Sequence, residues 1–214
     1  MEIFQKGDRI LLFSPHPDDI EFGAGGILCK YGKEISSKLV VLSTRLKTRG
    51  EKNNKKQQEE SAKILGIDEV EFYDLPIRFF GSVESRDKIR QIATKEYNNF
   101  KPNIILIPAE NETMQDHQAV SEEVVRTIKN TNIFGYEVIA HNKNVIPKMY
   151  VQISQKCIDT KIKALSCFKE QEKKFYFDKK LINSLATVRA AHAGFLGFAE
   201  AFDVYRIVQN NEET

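Results

Sequence analysis

The chain has 214 residues, 41% hydrophobic and 29% charged, which suits one α/β domain with a sizeable core. Its formal net charge of +2 gives no reason to expect nucleic acid as a partner, and no apolar run of about 18 residues is present to insert into a membrane. Three cysteines, Cys29, Cys157 and Cys167, suggest no disulfide framework and read as small core hydrophobes.

In chain order, a first strand is predicted over 9–14 and a helix over 23–31. A second strand, 38–43, leads to a helix over 55–65, closed at its C-terminal end by Gly66. The third strand, 69–73, is followed by a helix over 83–100. The fourth, 103–108, holds the unbroken apolar run Ile104-Ile105-Leu106-Ile107, expected of a central strand covered on both faces, and leads to a helix over 116–129. A fifth strand is predicted over 135–140. Beyond it the pattern changes to a strand over 149–153, a helix over 155–168 capped by Ser154, a helix over 179–196 and a last strand over 201–208, a region expected to wall the site. Strands alternating with helices imply a single-domain, three-layer Rossmann-like α/β fold with a largely parallel sheet over 1–209, followed by a flexible tail over 210–214. Residues 1–8 lack the basic and apolar regions of a signal peptide, so a cytoplasmic location is expected.

The stretch Ser14-Pro15-His16-Pro17-Asp18-Asp19-Ile20-Glu21 sets an imidazole and two adjacent carboxylates at the end of the first strand. Prolines on both sides of His16 restrict the backbone. If the chain turns after Pro17, His16 and Asp19 converge on one cation, and Asp18 points elsewhere, free to work on a bound water. The plainer reading is an Asp-rich turn in which Asp18 or Asp19 caps the next helix. A second polar loop, with Glu112, Met114, Asp116 and His117, follows the fourth strand. Ligands of open α/β sheets collect outside the carboxyl ends of the strands. Both loops arrive there, and His16, Asp19 and His117 would form a three-ligand catalytic site with room for water.

These residues resemble the PIG-L/LmbE family of zinc-dependent de-N-acetylases, closest to members of surface-glycan biosynthesis. The family motif HPDDxE is matched by His16-Pro17-Asp18-Asp19-Ile20-Glu21, and the second motif, usually H-(P/Q)-D-H, by Met114-Gln115-Asp116-His117. Weaker matches run through Glu59, Leu65-Gly66, Pro76-Ile77-Arg78, Gly135-Tyr136-Glu137 and Ala199-Glu200-Ala201-Phe202. The resemblance implies Zn²⁺ or another divalent metal held by His16, Asp19 and His117, with Asp18 as general base. It also implies removal of acetyl from an N-acetylglucosamine-type sugar carried by a nucleotide, lipid or glycan. Met114 departs from it, standing where the family has a histidine thought to stabilise the oxyanion or protonate the leaving amine, and a thioether does neither. A non-catalytic metal- or sugar-binding relative is therefore the alternative. His141 and His192 are the candidates to replace the lost group.

Gly23-Ala24-Gly25-Gly26 invites a nucleotide-binding reading, but the acidic cluster before it would repel a pyrophosphate, so close helix packing is expected instead. Arg45, Lys47, Arg49, Lys52, Lys55 and Lys56 form a basic stretch, solvated by default or clasping an anionic substrate. Arg49, Arg78, His141, Arg189 and His192 are the candidate substrate-binding residues. Glu21 is expected either to orient His16 or to cap the first helix. The expected partner is an amino-sugar substrate, with no nucleic acid and no membrane insertion; a homo-oligomer is compatible with the sequence.

Overall fold

The computed structural model describes residues 3–44, 53–141 and 146–209. Strand β1, Arg9–Ser14, is buried at every position after the first, and its side chains alternate between two interiors. Ile10 and Leu12 enter one apolar cluster and Leu11 and Phe13 the other, as a strand covered on both faces requires. The chain continues through α1 (Asp19–Tyr31), β2 (Ser36–Val41), α2 (Asn54–Leu65), β3 (Glu69–Phe72), α3 (Val83–Phe100), β4 (Ile104–Pro108), α4 (Gln115–Thr127) and β5 (Asn132–Tyr136). It ends with β6 (Met149–Ile153), α5 (Gln155–Leu165), a 3₁₀ turn (Phe175–Phe177), α6 (Lys179–His192) and β7 (Phe198–Arg206).

The sheet order is β3-β2-β1-β4-β5-β7-β6. The first five strands are parallel, β7 runs antiparallel to β5, and β6 runs antiparallel to β7. Apolar residues of α1, α2, α5 and α6 fill one face of the sheet, and those of α3 and α4 the other. This is the expected three-layer α/β architecture with a largely parallel sheet. β4 lies centrally between β1 and β5, every residue buried. The chain winds outward from β1 towards β3 and then returns to place β4 on the opposite side of β1, which makes the carboxyl edge of β1 and β4 the switch point where loops diverge and leave a crevice.

The glycines of α1 serve packing. A Cβ on Gly23 would lie 2.2 Å from the Tyr136 ring, and one on Gly26 would lie 2.5 Å from Ile153 Cδ1. Their bareness also admits a buried ion pair to the helix backbone: Gly26 N and Ile27 N donate to the Glu200 carboxylate at 2.7 and 2.8 Å, and Lys161 Nζ pairs with Glu200 at 2.7 Å. Gly66 ends α2 in the left-handed conformation at φ 78°, and Ser154 caps α5 by accepting from Cys157 N.

Several boundaries differ from expectation. Helix α1 begins at Asp19, four residues early, so Asp19 belongs to its first turn. β5 lies at Asn132–Tyr136 rather than 135–140, because its ladder with β4 runs from Ile104↔Asn132 to Pro108↔Tyr136. Residues 137–140 read as strand from their apolar run, but Val138 N donates to Glu112 Oε1 at 3.3 Å, outside that ladder. The two C-terminal helices end early, at Leu165 and His192, and Gly194 turns the chain with φ 84°. Residues 201–208, read as the last strand, begin three residues late, since β7 starts at Phe198 to pair with Ile153. The tail over 210–214 lies outside the described residues. Among the described residues, no helix is long and apolar enough to cross a membrane.

Candidate active site

The loop after β1 is built by its own side chains. Ser14 Oγ donates to His16 O at 2.6 Å. Asp18 takes φ 88°, a left-handed conformation that costs a residue with a Cβ about 1–3 kcal/mol and is best tolerated by Asp and Asn. The chain therefore turns sharply after Pro17, and Asp19 swings back so that its Oδ2 accepts from His16 N at 2.9 Å. Asp18 sits at the N-cap position of α1, where its carbonyl accepts from Phe22 N at 3.1 Å but its side chain makes no capping hydrogen bond.

The second half comes from the start of α4. His117 Nε2 lies 3.2 Å from Asp19 Oδ2, and His16 Nδ1 lies 3.4 Å from the same oxygen. His16, Asp19 and His117 are buried, and one donor atom from each lies within 4.8 Å of the others. The far nitrogen of each imidazole meets another carboxylate: His16 Nε2 lies 3.1 Å from Asp116 Oδ2, and His117 Nδ1 lies 3.4 Å from Glu112 Oε2. Asp116 is itself held by the N–H groups of Arg78 and Phe80, at 2.7 and 3.2 Å. Glu112 is held by Val138 N. Paired this way, the two rings turn His16 Nδ1 and His117 Nε2 towards Asp19.

Electrostatics fit the same picture. Burial alone would raise the Asp19 pKa, but His117 and His16 outweigh it and hold the carboxyl well below the usual range. Burial would likewise lower His117, yet Asp19 and Glu112 push it up to about 10. Burial works against Asp116 too, and His16 with the two N–H donors keeps it low. For Glu112 burial wins and the pKa rises. Both nitrogens of His117 are buried without a hydrogen bond of good geometry. A buried imidazole facing carboxylates in this way is satisfied by a proton or by a cation that replaces it, so these residues fit a divalent metal.

The pocket over this cluster is lined by His16, Asp18, Asp19, Phe22, Ile77, Met114, Val138, His141, Lys174 and Tyr176. His141 thus reaches the pocket. Arg78 contributes through its backbone, and its side chain is exposed. Arg189 is bound to Glu137, with Nε to Oε2 at 2.9 Å, and lines a neighbouring cavity; His192 is exposed beside it. Neither lines this pocket. Arg49, with Arg45, Lys47 and Lys52, lies outside the described residues, and Lys55 and Lys56 are exposed on α2. Glu21 does not meet His16; it is fully buried and accepts from Gln58 Nε2 and Ser61 Oγ, both at 2.6 Å. Asp116 does the orienting instead. Glu112, Asp116, Lys174 and Tyr176 were not among the predicted site residues. An acid directly before His117 was a usable signal for Asp116; for Lys174 and Tyr176 the only hint was the aromatic run Phe175-Tyr176-Phe177.

The profile of the PIG-L family, described as GlcNAc-PI de-N-acetylase, matches residues 11–128, the segment that carries the end of β1, all of β4 and both halves of this cluster. The chain belongs to the PIG-L family. Its fold is similar to that of the conserved protein TT1542 from Thermus thermophilus, with a TM-score of 0.79 and 20% identity over 97% of this chain and 99% of the other. It is also similar to N,N'-diacetylchitobiose deacetylase from Pyrococcus horikoshii, with a TM-score of 0.74 and 18% identity over 97% and 88%. A third similar structure is GalB, the 4-carboxy-2-hydroxymuconate hydratase of Pseudomonas putida, with a TM-score of 0.73 and 19% identity over 94% and 98%. At these identities the likeness establishes the fold. Because a deacetylase and a hydratase share it, the reaction has to be argued from the site.

Proposed function

We propose that this PIG-L protein is a metal-dependent hydrolase that removes the N-acetyl group of an amino sugar, carried by a nucleotide, lipid or glycan, and releases acetate and a free amine. The observation that carries the reading is the convergence of His16, Asp19 and His117 in one buried cluster while Asp18, held apart by the left-handed turn, lines the same pocket. Family membership supports the choice of an amide as the bond broken.

His16, Asp19 and His117 would hold Zn²⁺ or another divalent ion, and Asp116 and Glu112 would fix the two imidazoles. Such an ion, when bound, makes water a nucleophile at neutral pH and polarises a carbonyl. Asp18 accepts the proton of the attacking water as the new C–O bond forms, and the C–N bond then breaks as Asp18 passes that proton to the amine nitrogen. Phe22, Ile77 and Val138 give the pocket apolar walls that shed water around the acetyl group.

A specific observation favours a second reading, a metal- or sugar-binding relative without turnover: Met114 lines the pocket and offers no donor. The two are separated by incubating zinc-loaded protein with free, nucleotide-linked and lipid-linked N-acetylated sugars and assaying new primary amines. Amine release with any of them supports the hydrolase. Fully metallated protein that releases none from the whole panel supports the binding relative.

A further inference from the structure

We propose that His141 donates the hydrogen bond that stabilises the oxyanion formed when water attacks the amide, a role that rests on the hydrolase reading above. Attack converts a neutral carbonyl oxygen into an alkoxide, and one preorganised donor at that oxygen is worth about a hundred- to a thousandfold in rate. Met114, Phe22, Ile77 and Val138 have no donor to offer, the Asp19 carboxylate only accepts, and the proton that Asp18 takes from the water is the one owed to the leaving nitrogen. His16 is engaged at both nitrogens, by Asp116 and Asp19. Among the described lining residues His141, Lys174 and Tyr176 remain.

His141 is the one of these three whose ring packs against a proposed ligand: its centroid lies 5.3 Å from that of His117, with the planes at 76°. Tyr176 packs edge-on against Phe22, and Lys174 lies over the Tyr176 ring. The backbone of His141 is fixed from two directions. Its N–H donates to Val138 O at 3.0 Å, and its carbonyl accepts from both Thr113 N at 2.9 Å and Thr113 Oγ1 at 3.0 Å. Thr113 directly precedes Met114. The clamp therefore ties the loop after β5 to the loop that enters α4 and delivers an imidazole into the pocket that the thioether lines. An imidazole carries at least one N–H in either charge state, so the neutral ring can fill the role in the tautomer whose N–H faces the oxyanion.

The test uses the full, zinc-loaded chain with two probes, N-acetylglucosamine as a planar amide and the methylphosphonamidate of glucosamine as a tetrahedral anionic mimic, together with kinetics on the best substrate of the amine-release screen. His141→Ala should weaken the mimic about a hundredfold, change N-acetylglucosamine less than about threefold, and lower kcat about a hundredfold with KM and zinc content unchanged. His141→Gln, which keeps an N–H donor, and Met114→His placed in the His141→Ala background should each recover part of the loss. If wild type turns over and His141→Ala leaves kcat and mimic affinity within about threefold, the role of His141 falls while the hydrolase reading stands. Equal loss of both probes without recovery by Gln makes His141 a packing residue and overturns the proposal. A wild type that binds neither probe and releases no amine overturns the hydrolase reading and this role together.

Discussion

Asp18 and Asp19 are adjacent acids to which the proposed reaction gives separate duties, and the backbone separates them. The turn at Asp18 sends one carboxylate to the pocket and folds the other back onto His16 N. Asp18→Asn should retain about one zinc per chain and lose at least about a hundredfold in rate, whereas Asp19→Asn should lose zinc affinity as well. Elemental analysis beside initial rates checks this, and the reverse pattern would exchange the two roles. Asp116→Asn and Glu112→Gln should each weaken zinc about 10- to 100-fold in competition with a chromophoric chelator, since each replaces a carboxylate that orients an imidazole. Unchanged affinity in both would mean that the imidazoles are oriented by other groups. At this scale the sequence was informative wherever the geometry is local. His16, Asp18 and Asp19 lie within four residues, and two prolines limit how they are presented. Glu112 facing His117 depends on how the loop before α4 folds back, and no spacing announces that. Glu21 illustrates the converse: it stands beside the proposed ligands in sequence, yet helical geometry aims it at Gln58 and Ser61 of α2.

Helix α1 carries Asp19 and is pressed against the sheet and α5 by residues far away in the chain. Gly23→Ala would put a methyl group into the Tyr136 ring, which is buried and fixed by donation from its OH to Phe13 O at 2.9 Å. The variant should lose about 1–3 kcal/mol in denaturant unfolding, and a loss below about 0.5 kcal/mol would show that the ring yields without strain. On the opposite edge, Glu96 is buried and held by Lys38 Nζ at 2.8 Å and Tyr73 OH at 2.6 Å. Burial would raise its pKa, but Lys38, Tyr73 and Lys95 outweigh it, so the folded value lies below the ordinary one. A carboxyl depressed in the fold stabilises above its unfolded pKa, and the contribution is lost as pH falls through the folded value. Glu96→Gln should therefore cost about 1–2 kcal/mol at pH 7, with the gap to wild type closing below about pH 4; a gap independent of pH would contradict the assignment. Element types followed from periodicity and caps, as with Gly66 and Ser154. Ends set by pairing partners, such as that of β5, did not, because the ladder with β4 is a long-range fact that residues 135–140 do not carry.

On the scale of the whole molecule, the switch of strand order at β1 and β4 opens a crevice, and the two polar loops, about a hundred residues apart in sequence, fall on either side of it. The layered α/β class and this placement were legible from alternating strands and helices, because parallel strands joined by crossover helices put every strand-to-helix loop on one edge. The antiparallel β6 and β7 were harder to read, since a short strand after a long irregular stretch carries no sign of its direction. The central claim is that the buried cluster works as a metal centre for amide hydrolysis. Its most direct test is a zinc titration of chelator-stripped protein, following amine release from the best N-acetylated sugar. The rate should be absent in the stripped protein and rise to a plateau at about one equivalent per chain. Full turnover in stripped protein, or none in protein saturated with zinc, would contradict it.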